Sequence, residues 1–186
     1  MNLARPLTTE VLLRPLELSD ATAFCAAQWR SREQLAPWEP RRPREWYEPD
    51  FQTARFEELL CRENTVPWVL VAGDRLIGTA TLSNIVGGAL RSGDLGYWIE
   101  VSEVGRGLAS AAVATVCEIA DADLLLHRIA ASTNAENTAS QRVLTKNNFE
   151  QYGLARNYLH INNAWRDSKL YHRILNNRAP GEPPAQ

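Results

Sequence analysis

Around residue 100 the spacing of apolar positions changes, and with it the element the chain encodes. Leu95, Tyr97, Ile99 and Val101 alternate with Asp94, Gly96, Trp98 and Glu100, the period-two pattern of a strand. From Leu108 the period lengthens. Leu108, Ala111, Ala112, Thr115, Val116, Ile119 and Ala120 form one stripe of a helix. The joint is Gly105-Arg106-Gly107, where two glycines let the backbone approach a ligand and a helix N-terminus offers unpaired N–H groups to an anion. Such a corner suits a phosphate. Residues 127–133 read as a further strand, so strand, helix and strand make one βαβ unit with a parallel pair.

The remaining pattern places elements on both sides of this unit. Residues 11–16 read as a strand, followed by a helix with Ser19 as N-cap that carries Phe24, Cys25 and Gln28 towards Trp29. In residues 35–50, Pro37, Pro40, Pro43 and Pro49 interrupt regular structure while Trp38, Trp46 and Tyr47 supply apolar surface. This is either a wall of a site or a loop pinned down by its aromatics. Residues 51–62 read as a helix, and 68–72 with 76–82 as a hairpin joined at Gly73-Asp74. Residues 83–93 read as a glycine-rich connection. Asn137 suits the N-cap of a helix on which Ser140 shares a face with Val143 and Leu144 and so looks inward, either for chemistry or to bond back to a carbonyl. Gln141, Arg142, Thr145 and Lys146 take the other side. A last hairpin turns at Asn162-Asn163.

Composition narrows the class. The 186 residues, 45% of them hydrophobic, suffice for one sizeable core and point to a single domain, ordered over about residues 10–175. Residues 176–186 are polar and proline-rich and are expected to fray. Twenty basic against twenty-two acidic side chains leave a net charge of -2, which favours neither nucleic acid nor an anionic membrane. Three cysteines without CxxC spacing argue against a disulfide frame or a metal site and suit a reducing cytoplasm. No segment reads as a signal peptide or a membrane span.

The glycine turn is shared physics, so its neighbours must separate the candidates. A Walker loop would need GxxxxGK[ST], and the dinucleotide fingerprint would need glycine at Ser110. Val104-Gly105-Arg106-Gly107-Leu108-Ala109 instead resembles the acetyl-coenzyme A motif Q/RxxGxG/A of the GCN5-related N-acetyltransferase (GNAT) superfamily, with valine replacing the polar first residue. Within it, LAPWEP at 35–40, SNIVGG at 83–88, LGYWI at 95–99, GLARNYLHINNAWRD at 153–167 and the NxxS of Asn137 to Ser140 resemble the Rim branch, the ribosomal-protein-alanine acetyltransferases of the RimJ and RimL type. The likeness covers residues 12 to about 175.

The resemblance implies an α/β GNAT fold: one mixed, mostly antiparallel sheet of about seven strands with a central splayed parallel pair, flanked by helices. It further implies acetyl-coenzyme A as cosubstrate, its pyrophosphate on the backbone of Val104, Gly105, Arg106, Gly107, Leu108 and Ala109. Its pantetheine arm would run along Ile99, Glu100 and Val101, with Asn137 and Ser140 beside it. A backbone N–H near Tyr97 or Trp98 would meet the thioester oxygen. Leu144 stands where many superfamily members have a tyrosine acid, which leaves Ser140 as the group that assists the departing thiolate. Asp94 is the candidate base, with Glu39 or water as alternatives, because the branch's glutamate in the last hairpin falls at Leu159. Trp38, Glu39, Ser83, Asn84, Tyr97 and Tyr158 are expected to line the acceptor side. The acceptor implied is a protein N-terminus beginning with Ala or Ser, such as that of a ribosomal protein, handled by a monomer or homodimer. A small amine such as an antibiotic, polyamine or amino acid would use the same cofactor residues, and a non-catalytic acyl-coenzyme A-binding regulator is the alternative outside enzymes.

Overall fold

The structure, a computed structural model, describes residues 3–182. Eight strands form one sheet in the order β1-β2-β3-β4-β5-β6-β8-β7: β1 Arg5–Pro6, β2 Val11–Pro15, β3 Val66–Ala72, β4 Arg75–Val86, β5 Ser92–Ile99, β6 Arg128–Asn134, β7 Glu150–Ile161 and β8 Ala164–Ile174. Four helices complete it, α1 Ala21–Leu35, α2 Pro49–Leu60, α3 Leu108–Ala122 and α4 Thr138–Lys146. All neighbouring strands run antiparallel except β5 and β6. Those two pair only through Ser92–Arg128, Gly93–Ile129 and Asp94–Ala130, and then part. The mixed sheet with a splayed parallel pair agrees with the GNAT expectation.

Alternation along the strands builds two apolar layers. On one face Leu70, Ile77, Leu82 and Ile129 pack with Ala112, Val116 and Ile119 of α3 and Leu144 of α4. On the other, Val69, Leu76 and Trp98 meet Phe24 of α1 and Phe56 of α2, with Phe24 edge-on to Phe56 at 5.3 Å and to Trp98 at 5.9 Å. Edge-to-face rings add stabilisation beyond area burial, about 0.5–1.5 kcal/mol a pair. Tyr97 and Trp98, adjacent in β5, therefore point to opposite layers.

Several boundaries differ from the sequence reading, each for a local reason. The short β1 raises the strand count from about seven to eight. Ser19 lies within a 3-10 turn, Leu18–Asp20, where Asp20 is bound by Arg14 at 2.6 Å, and α1 starts only after it. Pro49 opens α2 because a first-turn residue needs no N–H partner. Residues 83–86 extend β4 rather than looping, with a register shift between Ser83 and Val86. Val101 is not in β5, since the strand ends at Ile99 and residues Val101–Glu103 form a 3-10 turn. In the stretch expected to fray, Arg178 binds the Asp121 carboxylate at 2.5 Å, Arg91 donates to the Arg178 carbonyl at 2.6 Å, and Asn176 donates to Asp121 and to the Leu126 carbonyl. Residues 183–186 lie outside the described part. Among the described residues no helix is long and apolar enough to cross a membrane, and no cluster of three His, Cys, Asp or Glu could hold a metal.

One buried charge ties these layers together. Glu100, fully buried, receives Arg30 of α1 in a two-pronged contact at 2.6 and 3.0 Å and Arg75 of β4 at 3.3 Å. Its N–H donates to the Ile77 carbonyl at 2.8 Å. Burial opposes the Glu100 charge, but the two arginines outweigh it and hold the carboxyl below its usual range. A group with a depressed folded pKa adds stability above its unfolded pKa and loses it as the pH falls through the folded value. Glu100→Gln should thus destabilise by about 1–3 kcal/mol at neutral pH. In urea unfolding the gap from wild type should narrow as the pH drops below about 4.

Candidate functional site

The parting of β5 from β6 opens a cleft of about 560 Å³ that runs between the two layers. Its walls are β5 from Leu95 to Ile99, β6 from Ala131 to Asn134, the turn at Val104, the first turn of α3, α4, and the end of α1. The ladder fixes what β5 presents. Glu100 bonds to Ile77 of β4, and alternate residues of an antiparallel pair share a direction. The C=O of Leu95 and both the N–H and C=O of Tyr97 and Ile99 accordingly face the gap, a strand edge without a strand beyond the last bridge at Asp94–Ala130.

At one end of the cleft stands the glycine turn. Gly105 and Gly107 have φ of +87° and +80°, the left-handed region that glycine occupies without strain. Gly107 is the N-cap of α3 and no side chain caps that helix, whose first backbone bond is Ala111 N–H to the Gly107 carbonyl at 3.0 Å. The N–H groups of Leu108, Ala109 and Ser110 therefore remain free for an anion. A Cβ built on Gly105 or Gly107 would enter open space. Val104, Gly105, Gly107, Leu108 and Ala109 all line the cleft.

Midway, two hydroxyls meet. The Tyr97 phenol lies 2.9 Å from the Ser140 Oγ and 3.3 Å from the Ser140 carbonyl oxygen. Asn137 caps α4 by accepting the Ser140 N–H at 3.0 Å, which fixes the serine backbone. Burial pushes the Tyr97 phenol up to about 12, against a lowering by the Ser140 bond, so it stays protonated at any physiological pH.

The far end is walled by Gln34 and Leu35 of α1, Trp38, Glu39, Trp98, and Leu159 and Ile161 of β7. Both readings of the proline-rich loop hold, in different parts of it. Trp46 and Tyr47 pin it: Trp46 stacks under Arg42 at 3.8 Å and its carbonyl accepts from Gln52 at 2.6 Å, while Tyr47 packs edge-on to Trp29 at 5.2 Å. Trp38 and Glu39 are left to face the cleft. The Glu39 carboxylate is held by Arg42 at 3.2 Å. The buried Gln34 Oε1 accepts no hydrogen bond among the described residues.

The cleft thus gathers Ile99, Val104, Gly105, Gly107, Leu108, Ala109, Asn137, Ser140, Trp38, Glu39 and Tyr97 of the expected set. Others stand apart from it. The Glu100 side chain belongs to the ion cluster, and the Val101 N–H is taken by the Ser31 Oγ at 3.1 Å. Arg106 turns away to Glu103 and to Glu10, the latter at 3.4 Å. Asp94, exposed at the paired end of β5, accepts from Asn84 at 2.9 Å and, through its carbonyl, from Ser83 at 3.4 Å; none of the three lines the cleft. Tyr158 is exposed, and Leu159 faces in where Tyr158 was expected. The sequence reading missed Gln34, Ser110, Arg142 and Lys146, all on the cleft wall. Two basic residues one turn apart at the rim of a helix opposite an anion-binding turn were a legible signal for the last pair.

This geometry puts the protein among the acyltransferases that draw their acyl group from coenzyme A. More narrowly, the chain belongs to the GNAT family: the profile described as "Acetyltransferase (GNAT) domain" matches residues 10–150. It is similar to the probable N-acetyltransferase YjcK of Bacillus subtilis, 33% identical over 89% of this chain and 94% of the relative. Among solved structures it resembles the ribosomal-protein-S5-alanine acetyltransferase of Vibrio fischeri, 30% identical with a TM-score of 0.89 over 95% of this chain and 99% of the other. It also resembles Mycobacterium smegmatis RimJ in complex with CoA-disulfide, 32% identical with a TM-score of 0.84 over 88% of this chain and 81% of that one. The protein is an N-acetyltransferase with acetyl-coenzyme A as its donor. Replacing Gly107 by Val forces a branched residue into the left-handed region at the N-cap of α3, which distorts the turn that presents the free N–H groups. Calorimetry on folded Gly107→Val should find coenzyme A affinity reduced at least ~10-fold, a loss of about 1.4 kcal/mol.

Proposed function

We propose that this enzyme acetylates the α-amine of protein N-termini that begin with Ala or Ser, a ribosomal protein being the model acceptor, in the reducing cytoplasm. The observation that carries this reading is how the carboxylates of the cleft wall are occupied. Glu39 is engaged by Arg42, Glu103 by Arg75 and Arg106, and Leu159 stands where the branch has a glutamate. A site whose carboxylates are neutralised by arginine favours an amine that needs little help to lose its proton. At neutral pH about one α-amine in ten is already uncharged, against about one lysine in 2,500. The wall of Trp38, Trp98, Leu159 and Ile161 favours small first side chains by exclusion.

The named residues divide the work. The N–H groups of residues 108–110, with Arg142 and Lys146 across the cleft, would hold the cofactor's phosphates. The edge of β5 at Ile99 and Tyr97 would bond the pantetheine amides as a strand would, and the Tyr97 N–H would meet the thioester oxygen, where a fixed donor acts on developing charge. Gln34 Oε1 supplies an acceptor for the incoming amine. Ser140 donates a hydrogen bond to the thiolate as the carbon–sulfur bond breaks.

Two assays test the reading. A panel of short peptides with varied first residues, together with spermidine and an aminoglycoside, should show turnover for Ala and Ser N-termini and little for lysine side chains; robust turnover of only the small amines sinks the protein-acetylation reading. Ser140→Ala should lower kcat by ~10-fold to 1000-fold with little change in coenzyme A affinity. Wild-type turnover, with chemistry rate-limiting, would return Ser140 to a structural role.

A further inference from the structure

We propose that Tyr97 is a positioning residue for the leaving-group step: its phenol sets the direction in which the Ser140 hydroxyl donates. The inference rests on the reading that Ser140 donates to the departing sulfur. Tyr97 reaches Ser140 from β5, on the opposite wall of the cleft from α4, and has two acceptors within reach, the Oγ at 2.9 Å and the carbonyl oxygen of the same residue at 3.3 Å. A phenol has one hydrogen, and so has a serine hydroxyl. If the phenol hydrogen goes to the carbonyl, the serine hydrogen is free to settle on the phenol oxygen and points away from the reacting sulfur. If the phenol hydrogen goes to Oγ, the serine hydrogen is turned outward.

Charge in the cleft decides between these arrangements. When negative charge grows on sulfur, the arrangement with Ser140 donating to it becomes the favourable one, and Tyr97 swings its hydrogen from the carbonyl to Oγ without leaving its place. A serine oxygen that accepts a hydrogen bond is a better donor, because chained bonds polarise one another. Neither group loses its proton. The carbon–nitrogen bond forms, the carbon–sulfur pair stays on sulfur, and the ammonium proton and the proton later taken up by the thiolate are exchanged with water. Burial supports this role, since it keeps the phenol a donor throughout the working pH range. The cap from Asn137 completes it by holding the serine backbone still while the hydroxyl turns.

The test is a double-mutant cycle on the full chain, with acetyl-coenzyme A and the best acceptor peptide. Tyr97→Phe keeps the ring and should lower kcat ~3-fold to 30-fold with the KM for acetyl-coenzyme A unchanged. Added to Ser140→Ala it should lower kcat no further. A double variant whose loss equals the product of the two single losses, or a Tyr97→Phe enzyme with wild-type kcat, overturns the inference and leaves the role of Ser140 standing. Wild-type kcat in Ser140→Ala removes both. As a control for packing, 3-fluorotyrosine at position 97 retains the hydroxyl and should retain the rate; a loss there as large as in Tyr97→Phe assigns the effect to shape and overturns the inference.

Discussion

Three residues after they begin, β5 and β6 stop pairing, and the site exists because of what that leaves undone. Backbone N–H and C=O groups require partners, and an unpaired buried one costs about 1–3 kcal/mol. Tyr97 and Ile99 direct both groups into a gap with no strand in it. The fold keeps them wet or paired with a ligand by holding the gap open: α3 and α4 brace one face, α1 the other, and β8 takes the far edge of β6. A ligand with amides at strand spacing completes the sheet. Binding and architecture are then the same hydrogen-bonding demand.

Around this gap the charges are sorted by layer. Glu100 collects Arg30 and Arg75, and Arg75 also reaches Glu103, which holds Arg106 of the glycine turn. A chain of ion contacts thus runs from α1 through β4 to the anion corner. It leaves the backbone of that corner uncovered, because Arg106 is drawn away from the cleft. Positive charge returns from the other wall as Arg142 and Lys146. The corner is neutral until an anion arrives, so its N–H groups need not be stripped of an internal partner first.

Much of this was legible in the residues alone. The change of period between residues 94 and 120, the two glycines and the NxxS cap define the strand, turn and helices that make the cofactor side, since each rests on local geometry. The acceptor side was less legible because it depends on tertiary direction. Asp94 and Glu39 are equally acidic in sequence, yet the pleat sends Asp94 to Asn84 at the exposed end of β5 and α1 delivers Glu39 to the cleft. Tyr158 and Leu159 differ by a half-turn of a strand whose register shifts between Ala155 and Leu159, which alternation counted from the turn cannot foresee. Arg142 and Lys146 were assigned to the solvent side of α4 correctly, but that side is also the rim of the cleft.

The strand order has a further consequence, for synthesis. β8 is made after every other strand, yet it lies between β6 and β7 and is the sole partner of β7 among the described strands. Until it has emerged, β6 has an open edge and β7 has nowhere to pair, although the glycine turn and α3 were finished some fifty residues earlier. A nascent chain at that stage displays a sheet edge beside a preformed anion corner. The enzyme's own fold is therefore closed from its interior outward by its last hairpin, and a ribosome that stalls before residue 164 would release a chain with the cofactor motif complete and β7, which carries Leu159 and Ile161, without the strand that holds it.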